Sequence, residues 1–505
     1  MWRPTGRRRK SSFRCQSPES SVASISSIPM KNFCHSPSVA LVTGLWMAVG
    51  SSAFAAEPSL IVQHAQVTSI LGAISAKRID ANIRKLVGFG TRHTMSETAS
   101  DTRGIGAARR WIQKEMEVCA GKSGGRMQVT LDETTEPAGN RLSRPTQLVN
   151  VVATLRGTAK TERIYVVSGH YDSRASDVMD ATSDAPGAND DASGTAAVME
   201  MACAFAPYSF DATLVFMAVA AEEQGLLGAT HWAQEAVKAG KPVAGMITND
   251  IIGSPVGSGG QRDDKRVRLF ADGLSPLLRM VINASKNRPE SLALAESAQA
   301  SLAQITASGG EEDTPTHALG RYLKEMGALY MPDVTVQLIQ RKDRFLRGGD
   351  HLPFLERGFA AVRFTEPFEN FNHQHQDVRI QDGIQYGDLA QFVDMDYIAR
   401  VTQLNAAGLA SLALAPAPPT EVGIDVSQLT HDTRLRWRGS DVENTAGYRL
   451  VWRETGSQTW QFHRDVASVD DFTLGGISKD NFVFGVQAVG KNGAASVAVY
   501  PRPFR

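Results

Sequence analysis

Short apolar runs alternate with helical patterns of apolar and polar residues between residues 75 and 342. Such runs are typical of buried strands, and apolar residues at steps of three and four are typical of helices that pack on a sheet. We therefore predict an α/β fold, with a mostly parallel twisted sheet flanked by helices. The predicted strands are residues 148–155, 164–167, 213–219, 244–248, 334–339 and 359–364. The predicted helices include residues 105–118, 194–205, 226–238 and 389–412.

The chain changes character after this region. Residues 413–420 are rich in proline and predict a semi-rigid linker between a domain over residues 56–412 and a second domain. In residues 421–505 apolar side chains recur at every second position, which predicts the half-buried strands of a small all-β sandwich. This pattern resembles a fibronectin type III module, with Trp437 in the place of that family's core tryptophan. Within the first domain, residues 283–315 are rich in Ala, Ser and Glu, and we interpret them as an insertion.

The amino-terminal segment has the plan of a secretory signal peptide. Met30 and Lys31 precede an apolar run over residues 39–49, and small residues surround a cleavage position after Ala55. We therefore predict a signal peptide over residues 30–55, with export to the periplasm or the medium, and interpret residues 1–29 as an upstream segment from a misassigned start. The apolar run is about half of the ~20 residues that span a bilayer, which argues against a permanent membrane anchor.

Charge and cysteine content narrow the classes of partner. The full chain has 53 basic and 53 acidic side chains, and removal of residues 1–55 leaves a mildly acidic protein. No net positive charge is therefore present to attract nucleic acid. Cys119 and Cys203 remain in the mature chain, and one disulfide or two buried thiols both agree with the sequence. The sequence carries no signal for an oligomeric state.

Histidine and acidic residues follow the predicted strands, at the edge where open α/β sheets place their sites. His170 comes after the second predicted strand, and Asp172 stands two residues later. Such a carboxylate can hold the imidazole of a metal ligand in one orientation. A histidine with a purely structural hydrogen bond is the alternative for this motif alone.

A glycine-flanked loop carries the next acidic pair, Asp190 and Asp191, just before a predicted helix. Capping of the helix explains one carboxylate, and Asp191 or Ser193 is suited to it. Capping does not explain two adjacent acidic residues. We therefore predict that this loop presents carboxylate oxygens to a cation.

Three further motifs complete the set. Glu222 and Glu223 directly follow a predicted strand, where their mutual repulsion requires a cation or a shared proton, unless they are ordinary acids of a first helical turn. Asp250 follows the next strand in the same way, and a histidine-rich loop spans residues 372–377. Histidine-rich loops bind metals but also occur by chance. Together the motifs predict a site for two borderline-hard divalent ions, with zinc as the leading candidate.

In their order along the chain, five motifs resemble those of the secreted di-zinc aminopeptidases of the leucine aminopeptidase and aminopeptidase Y type. The motifs are His-x-Asp at 170–172, Gly-Ala-Asn-Asp-Asp-Ala-Ser-Gly at 187–194, Ala-Glu-Glu-Gln-Gly at 221–225, Asn-Asp-Ile-Ile-Gly at 249–253 and His-x-x-x-Asp at 373–377. The resemblance covers roughly residues 75–412. Glutamate carboxypeptidase, glutaminyl cyclase and the transferrin receptor ectodomain share this family's fold, so the same fold is implied here.

Carried over position by position, the resemblance implies two zinc ions and one base. The implied ligands are His170 and Asp250 for one zinc, Glu223 and His373 for the other, and Asp190 as the bridge. Glu222 is the implied general base, which takes a proton from the metal-bridging water. A cis peptide bond between Asp190 and Asp191 is also implied. We prefer His373 as the ligand because Asp377 follows it at the family's spacing. His375 is the alternative.

The resemblance implies an exported zinc exopeptidase that removes amino-terminal residues from peptides. Carboxypeptidase or glutaminyl-cyclase chemistry on the same scaffold is the first alternative, and it differs in whether the site neutralises a substrate amine or a substrate carboxylate. A metal-free, receptor-like binding protein is the second alternative. Proteins of that kind typically lose metal ligands, whereas every implied ligand is present in this chain.

Overall fold

The computed structural model describes residues 63–139, 141–284 and 289–505, and the side chains of residues 282–284 and 289–294 are not described. The predicted signal peptide at 30–55 and the upstream segment at 1–29 lie outside the described residues. Within the part of the chain that is described, no helix is long and apolar enough to cross a membrane.

A central sheet of eight strands organises the larger part of the structure. Its strands are β1 (Met127–Glu136), β2 (Thr146–Leu155), β3 (Ile164–His170), β4 (Thr213–Val219), β5 (Val243–Asn249), β6 (Arg266–Phe270), β7 (Thr335–Ile339) and β8 (Ala361–Thr365). They lie in the order β1-β2-β4-β3-β5-β8-β6-β7. The four central strands, β4, β3, β5 and β8, are mutually parallel. The predicted α/β fold is therefore confirmed, with antiparallel pairings confined to the two flanks.

Burial on both faces explains why the central strands read as continuous apolar runs. Every residue of β3 is buried, as expected for a parallel strand covered on two sides. Alternate side chains of β3 join two different hydrophobic clusters: Tyr165 and Val167 belong to the larger one, and Ile164 and Val166 to the smaller. The sheet is therefore the middle layer of three.

Ten helices are present among the described residues. They are α1 (Ala65–Ala73), α2 (Ala76–Val87), α3 (Gly104–Ala120), α4 (Ala192–Phe205), α5 (Leu227–Lys238), α6 (Leu274–Ala284), α7 (Pro289–Ser308), α8 (Pro315–Tyr330), α9 (His351–Leu355) and α10 (Met395–Leu414). Helices α1, α2, α3, α4, α8 and α10 contribute to the larger cluster, and α5 and α9 to the smaller. The last helix begins six residues later than predicted, because Asp394 caps it by accepting a hydrogen bond from the Tyr397 N–H.

A disulfide joins Cys119 at the end of α3 to Cys203 in α4. Of the two alternatives that the sequence left open, the structure therefore has the bridge. It ties the helix that follows the Asp190 loop to the helix that packs beside it.

The carboxyl-terminal region is all-β, as predicted. Its strands are β11 (Thr420–Asp425), β12 (Thr433–Arg438), β13 (Thr445–Arg453), β14 (Phe462–Val466), β15 (Asp471–Leu474), β16 (Val483–Gly490) and β17 (Arg502–Phe504). A short hairpin of β9 (Arg379–Gln381) and β10 (Ile384–Tyr386) precedes them in the chain. The seven strands form one sheet of four and one of three, which enclose a core containing Leu435, Trp437 and Leu450.

The proline-rich segment is packed against both neighbouring regions. Helix α10 extends to Leu414, and Ala415 and Ala417 are buried. The Arg163 guanidinium donates a hydrogen bond to the Ala415 carbonyl and lies 3.7 Å from the Asp441 carboxylate. These contacts hold the segment in place.

Buried ion pairs attach the all-β region to the larger one. Asp313 Oδ1 lies 2.9 Å from Arg321 Nη1, and Asp313 Oδ2 lies 2.7 Å from Arg453 Nη2 of β13. All three side chains are less than 5% exposed. Asp313 falls within the predicted insertion, so one function of this segment is to hold the all-β region.

Replacing Asp313 with Ala is therefore expected to destabilise the protein by about 3–5 kcal/mol, because two buried guanidinium groups lose their carboxylate. Urea unfolding measures this loss. The matched control is Asp465→Ala, which breaks the Asp465–Arg449 pair at a carboxylate that is 56% exposed and is expected to cost less than about 1 kcal/mol. Equal losses in the two variants would contradict the interpretation of the Asp313 pairs.

Candidate metal centre

The candidate site lies where the four central parallel strands end. His170 is the last residue of β3, and Asp250 directly follows β5. Glu222 and Glu223 come three and four residues after β4, and the histidine-rich loop follows β8. Parallel strands bring their carboxyl ends to one edge, so the alternation of strands and helices places these distant residues together.

Two groups of potential metal ligands form at this edge. The first contains His170, Glu222 and Asp250, and the second contains Asp190, Glu223 and His375. Within each group one ligand atom from every side chain lies within 4.8 Å of the others. Five of the six residues are those singled out in the sequence, and the sixth is the alternative histidine.

Asp190 lies between the two groups. Its Oδ1 is 3.1 Å from His170 Nε2 in the first group, and its Oδ2 is 2.9 Å from His375 Nε2 in the second. Glu223 Oε1 also lies 2.9 Å from His375 Nε2. One carboxylate thus faces both groups, as a bridging ligand must.

The adjacent acidic residue, Asp191, has a structural role. Asp191 is the N-cap of α4, where its carboxylate accepts a hydrogen bond from the Gly194 N–H, and it also accepts one from the His170 N–H. The predicted cis peptide bond joins Asp190 to Asp191. Helix capping therefore uses Asp191 and leaves Asp190 directed into the cluster.

Asp172 positions the glutamate pair as well as the histidine. Its Oδ1 is 3.5 Å from His170 Nδ1, and its backbone carbonyl is 3.2 Å from the same nitrogen. Its carboxylate accepts hydrogen bonds from the backbone N–H groups of Glu222 and Glu223, both at 3.2 Å. The predicted orienting contact with His170 is thus accompanied by one that fixes the turn after β4.

The structure places the alternative histidine, His375, and not the preferred His373, beside the other candidate ligands. The ring of His373 stacks on Phe392, with 3.6 Å between the ring centroids, and His373 is absent from both ligand groups. The loop turns at His375, whose φ of 53° is in the left-handed region. This turn directs the His375 imidazole towards Asp190 and Glu223, which a spacing rule could not show.

Close backbone packing supports this geometry. A Cβ atom at Gly194 would lie 2.2 Å from the Asn249 carbonyl oxygen, so only glycine fits between α4 and the end of β5. Ala221 and Ile251, next to ligand residues, have positive φ values of 59° and 57°. Non-glycine residues with such left-handed backbone conformations cluster at functional sites.

Several supporting residues were not singled out from the sequence. Asp388 accepts hydrogen bonds from the backbone N–H groups of Asn189 and Asp190. Arg363 is fully buried, and its Nη2 lies 2.9 Å from Asp250 Oδ1. Because these partners are far away in sequence and belong to no motif, only their contacts identify them.

The electrostatics of the cluster depend on burial and on mutual interaction. Burial raises the pKa of Glu222 well above that of an exposed glutamate. Burial lowers the pKa of His375, but Glu223 and Asp190 outweigh this effect and raise that pKa to about 10. Burial likewise lowers the pKa of His170, but Asp172 and Asp190 raise it well above its usual value. The carboxylates therefore create a strong requirement for positive charge.

The residues fit zinc. Histidine nitrogen and carboxylate oxygen are ligands that zinc prefers, and both groups contain both types. Glu223 is 4% exposed, and its Oε1 has no partner with hydrogen-bond geometry despite lying near His375 Nε2. A buried carboxylate oxygen without a hydrogen bond is costly unless a cation occupies the space beside it.

Comparison with known proteins agrees with this geometry. The model of peptidase family M28 matches residues 150–289, which include His170, Asp190, Glu222, Glu223 and Asp250. A "probable zinc metalloprotease" of Leptosphaeria maculans is 48% identical over 438 residues, which cover 87% of this chain and 97% of the relative. A protein with the same description from Pyricularia oryzae is 48% identical over 444 residues, which cover 87% of this chain and 85% of the relative.

Among solved structures, the aminopeptidase LapA of Legionella pneumophila is similar with a TM-score of 0.47 and 18% sequence identity, over 69% of this chain and 75% of that chain. The family match covers the motifs at the ends of β3, β4 and β5, and the similarity to the curated relatives extends over most of the chain. This protein therefore belongs to peptidase family M28, as a relative of zinc metalloproteases.

Proposed function

We propose that the protein is an exported zinc aminopeptidase that binds two zinc ions and hydrolyses amino-terminal residues from peptides. The observation that carries the proposal is the pair of neighbouring ligand groups, in which Asp190 of the second group also lies 3.1 Å from His170 of the first. In this assignment His170 and Asp250 hold one zinc, Glu223 and His375 hold the other, and Asp190 bridges them. Two zinc ions in such a site activate a water molecule and polarise the substrate carbonyl when they are bound.

Glu222 is assigned as the general base. It neighbours the ligand Glu223 in sequence, and its ligand atom lies within 4.8 Å of those of His170 and Asp250. Glu222 takes a proton from water and passes it to the leaving amine. Two glutamates are needed because a carboxylate that is held as a metal ligand, as Glu223 is in this assignment, is a poor base.

The charges around the cluster favour a substrate amine over a substrate carboxylate. Besides the ligands, the buried acidic side chains Asp172, Asp191 and Asp350 lie in the same region. The buried cations Arg363 and Arg92 are already engaged, Arg363 with Asp250 and Asp343 and Arg92 with backbone carbonyls. No unengaged buried cation of this pair is therefore left for a substrate α-carboxylate, which favours a substrate that offers an α-ammonium group.

One observation supports carboxypeptidase chemistry as the second candidate. Arg141 is exposed and donates a hydrogen bond of 2.8 Å to the backbone carbonyl of Glu223. Its guanidinium therefore lies beside the cluster, where it could hold a substrate carboxylate. A test of function must include substrates of both kinds.

The test is hydrolysis of a panel of amino-acid p-nitroanilides, with amino-blocked peptides and peptides assayed for carboxyl-terminal release beside them. Each assay is run with zinc, with a chelator, and after zinc is added back. Cleavage that requires a free amine and returns with zinc is the expected result. Release of carboxyl-terminal residues alone would move the function to the Arg141 alternative, and no cleavage by zinc-loaded protein would refute peptidase activity.

Export and domain organisation belong to the same proposal. The signal-peptide pattern at 30–55 supports export, and so does the Cys119–Cys203 disulfide, since such bonds persist mainly in oxidising compartments. We assign residues 56–412 to the peptidase domain and residues 421–505 to a fibronectin type III-like module. Seven strands in two sheets support the second assignment.

A further inference from the structure

The bridging carboxylate has one partner that metal binding would leave in place. Among the described residues, the side chain of Asp190 contacts His170, His375 and Gln374. Both histidines are assigned as ligands, so their nitrogens turn to the metal when it binds. The remaining contact is the Gln374 side-chain amide, which donates a hydrogen bond of 3.2 Å to Asp190 Oδ2.

The orientation of the Gln374 side-chain amide is determined by its neighbour Arg347. Arg347 Nη1 lies 3.3 Å from Gln374 Oε1. A guanidinium group has donors and no acceptor, so the Gln374 oxygen must face Arg347 and its NH₂ group must face Asp190. Gln374 is 9% exposed, so little water competes for either end.

Arg347 is held in turn by a buried acidic residue. Glu369 Oε2 lies 2.5 Å from Arg347 Nη1, and the same carboxylate contacts Arg344 and Arg268, each at 2.9 Å. The Glu369 side chain is 5% exposed. These contacts join the loop after β8 to the segment before α9 and make Arg347 a fixed anchor.

We infer that Gln374 is a positioning residue for the bridging carboxylate, anchored by Arg347 on Glu369. The inference rests on the proposed zinc site and deepens it, because it names a chain of residues that acts on metal affinity through Asp190. Partners that orient metal ligands typically contribute about 10–100-fold to metal affinity. Gln374 is assigned no contact with substrate.

The test measures zinc retention without any substrate. Zinc-loaded full-length variants are equilibrated against a graded series of a competing chelator, and the zinc bound to protein is determined by elemental analysis. Gln374→Met keeps the length of the side chain but removes the donor, and it is expected to lower zinc affinity about 10–100-fold. The matched control is Gln376→Met in the same loop, where Gln376 accepts a hydrogen bond from Arg379 and not from the cluster. The control is expected to retain zinc like the original protein.

A double-variant cycle tests the anchor. Arg347→Met is expected to lower zinc affinity less than Gln374→Met, because the amide remains but is no longer fixed. The double variant is expected to bind zinc as Gln374→Met does, since Arg347 acts through Gln374. If the double variant instead lost zinc affinity by the product of the two single losses, Arg347 would not act through Gln374, and the inference would be overturned.

Three further results would overturn the inference. The first is unchanged zinc affinity in Gln374→Met, and the second is an equal loss of affinity in Gln376→Met. The third is a lower unfolding temperature of Gln374→Met in excess chelator, which would show a structural role independent of metal. Failure of the proposed function is distinguishable, because the original protein would then release no amino-terminal residue from peptides, whatever the zinc affinity of the variants.

Discussion

Replacing Glu222 with Gln is expected to lower kcat by roughly 10²–10⁴-fold while zinc content stays near that of the original protein. The amide keeps the shape of the side chain but cannot take a proton from water. The zinc ions remain because the assigned ligands are untouched. Steady-state kinetics on an amino-acid p-nitroanilide, together with elemental analysis for zinc, measures both effects.

Glu235→Gln is the matched control for this substitution. Glu235 lies on α5, where it pairs with Lys238 at 2.7 Å on the protein surface. The control is expected to have unchanged kcat and zinc content. Retained turnover in Glu222→Gln would remove the general-base assignment, and loss of zinc from that variant would make Glu222 a ligand.

The second large effect separates two histidines that are two residues apart. His375→Ala is expected to remove one zinc ion and most of the activity, because the imidazole is the nitrogen donor of the second ligand group. His373→Ala is expected to retain both zinc ions, since that ring stacks on Phe392. Elemental analysis and kcat of the two variants are the measurements. The reverse pattern would restore His373 as the ligand.

Much of the fold could be predicted from the sequence because burial leaves a simple pattern. The strands β3, β4 and β5 are covered on both faces and therefore read as apolar runs. Strand β1 was not predicted, because among the described strands it pairs with β2 alone, and exposed and half-buried residues alternate along most of its length. Strand β6 has only five residues, two of them arginines.

The candidate site could be predicted where ligands sit at fixed offsets from strand ends. His170, Glu222, Glu223 and Asp250 are of this kind, since the strand determines where each backbone emerges. The spacing favoured His373 over His375 in the last loop, where nine residues separate the end of β8 at Thr365 from His375. The loop turns within this stretch, so the sequence spacing no longer determines in which direction a histidine side chain points.

The supporting residues could not be predicted for a related reason. Gln374 acts through an oxygen held by Arg347, and Arg363 reaches Asp250 from a different strand. Polar and charged residues of these types occur throughout the chain, so residue type alone does not indicate which of them support the site. Their importance follows only from burial and from the direction of each donor.

The most direct test of the two-zinc site is anomalous diffraction at the zinc edge from crystals of the zinc-loaded protein. The proposed site predicts two peaks, one bound by His170, Asp250 and Asp190 and the other by Asp190, Glu223 and His375. A single peak, or a second peak bound by His373, would contradict this assignment of the metal centre.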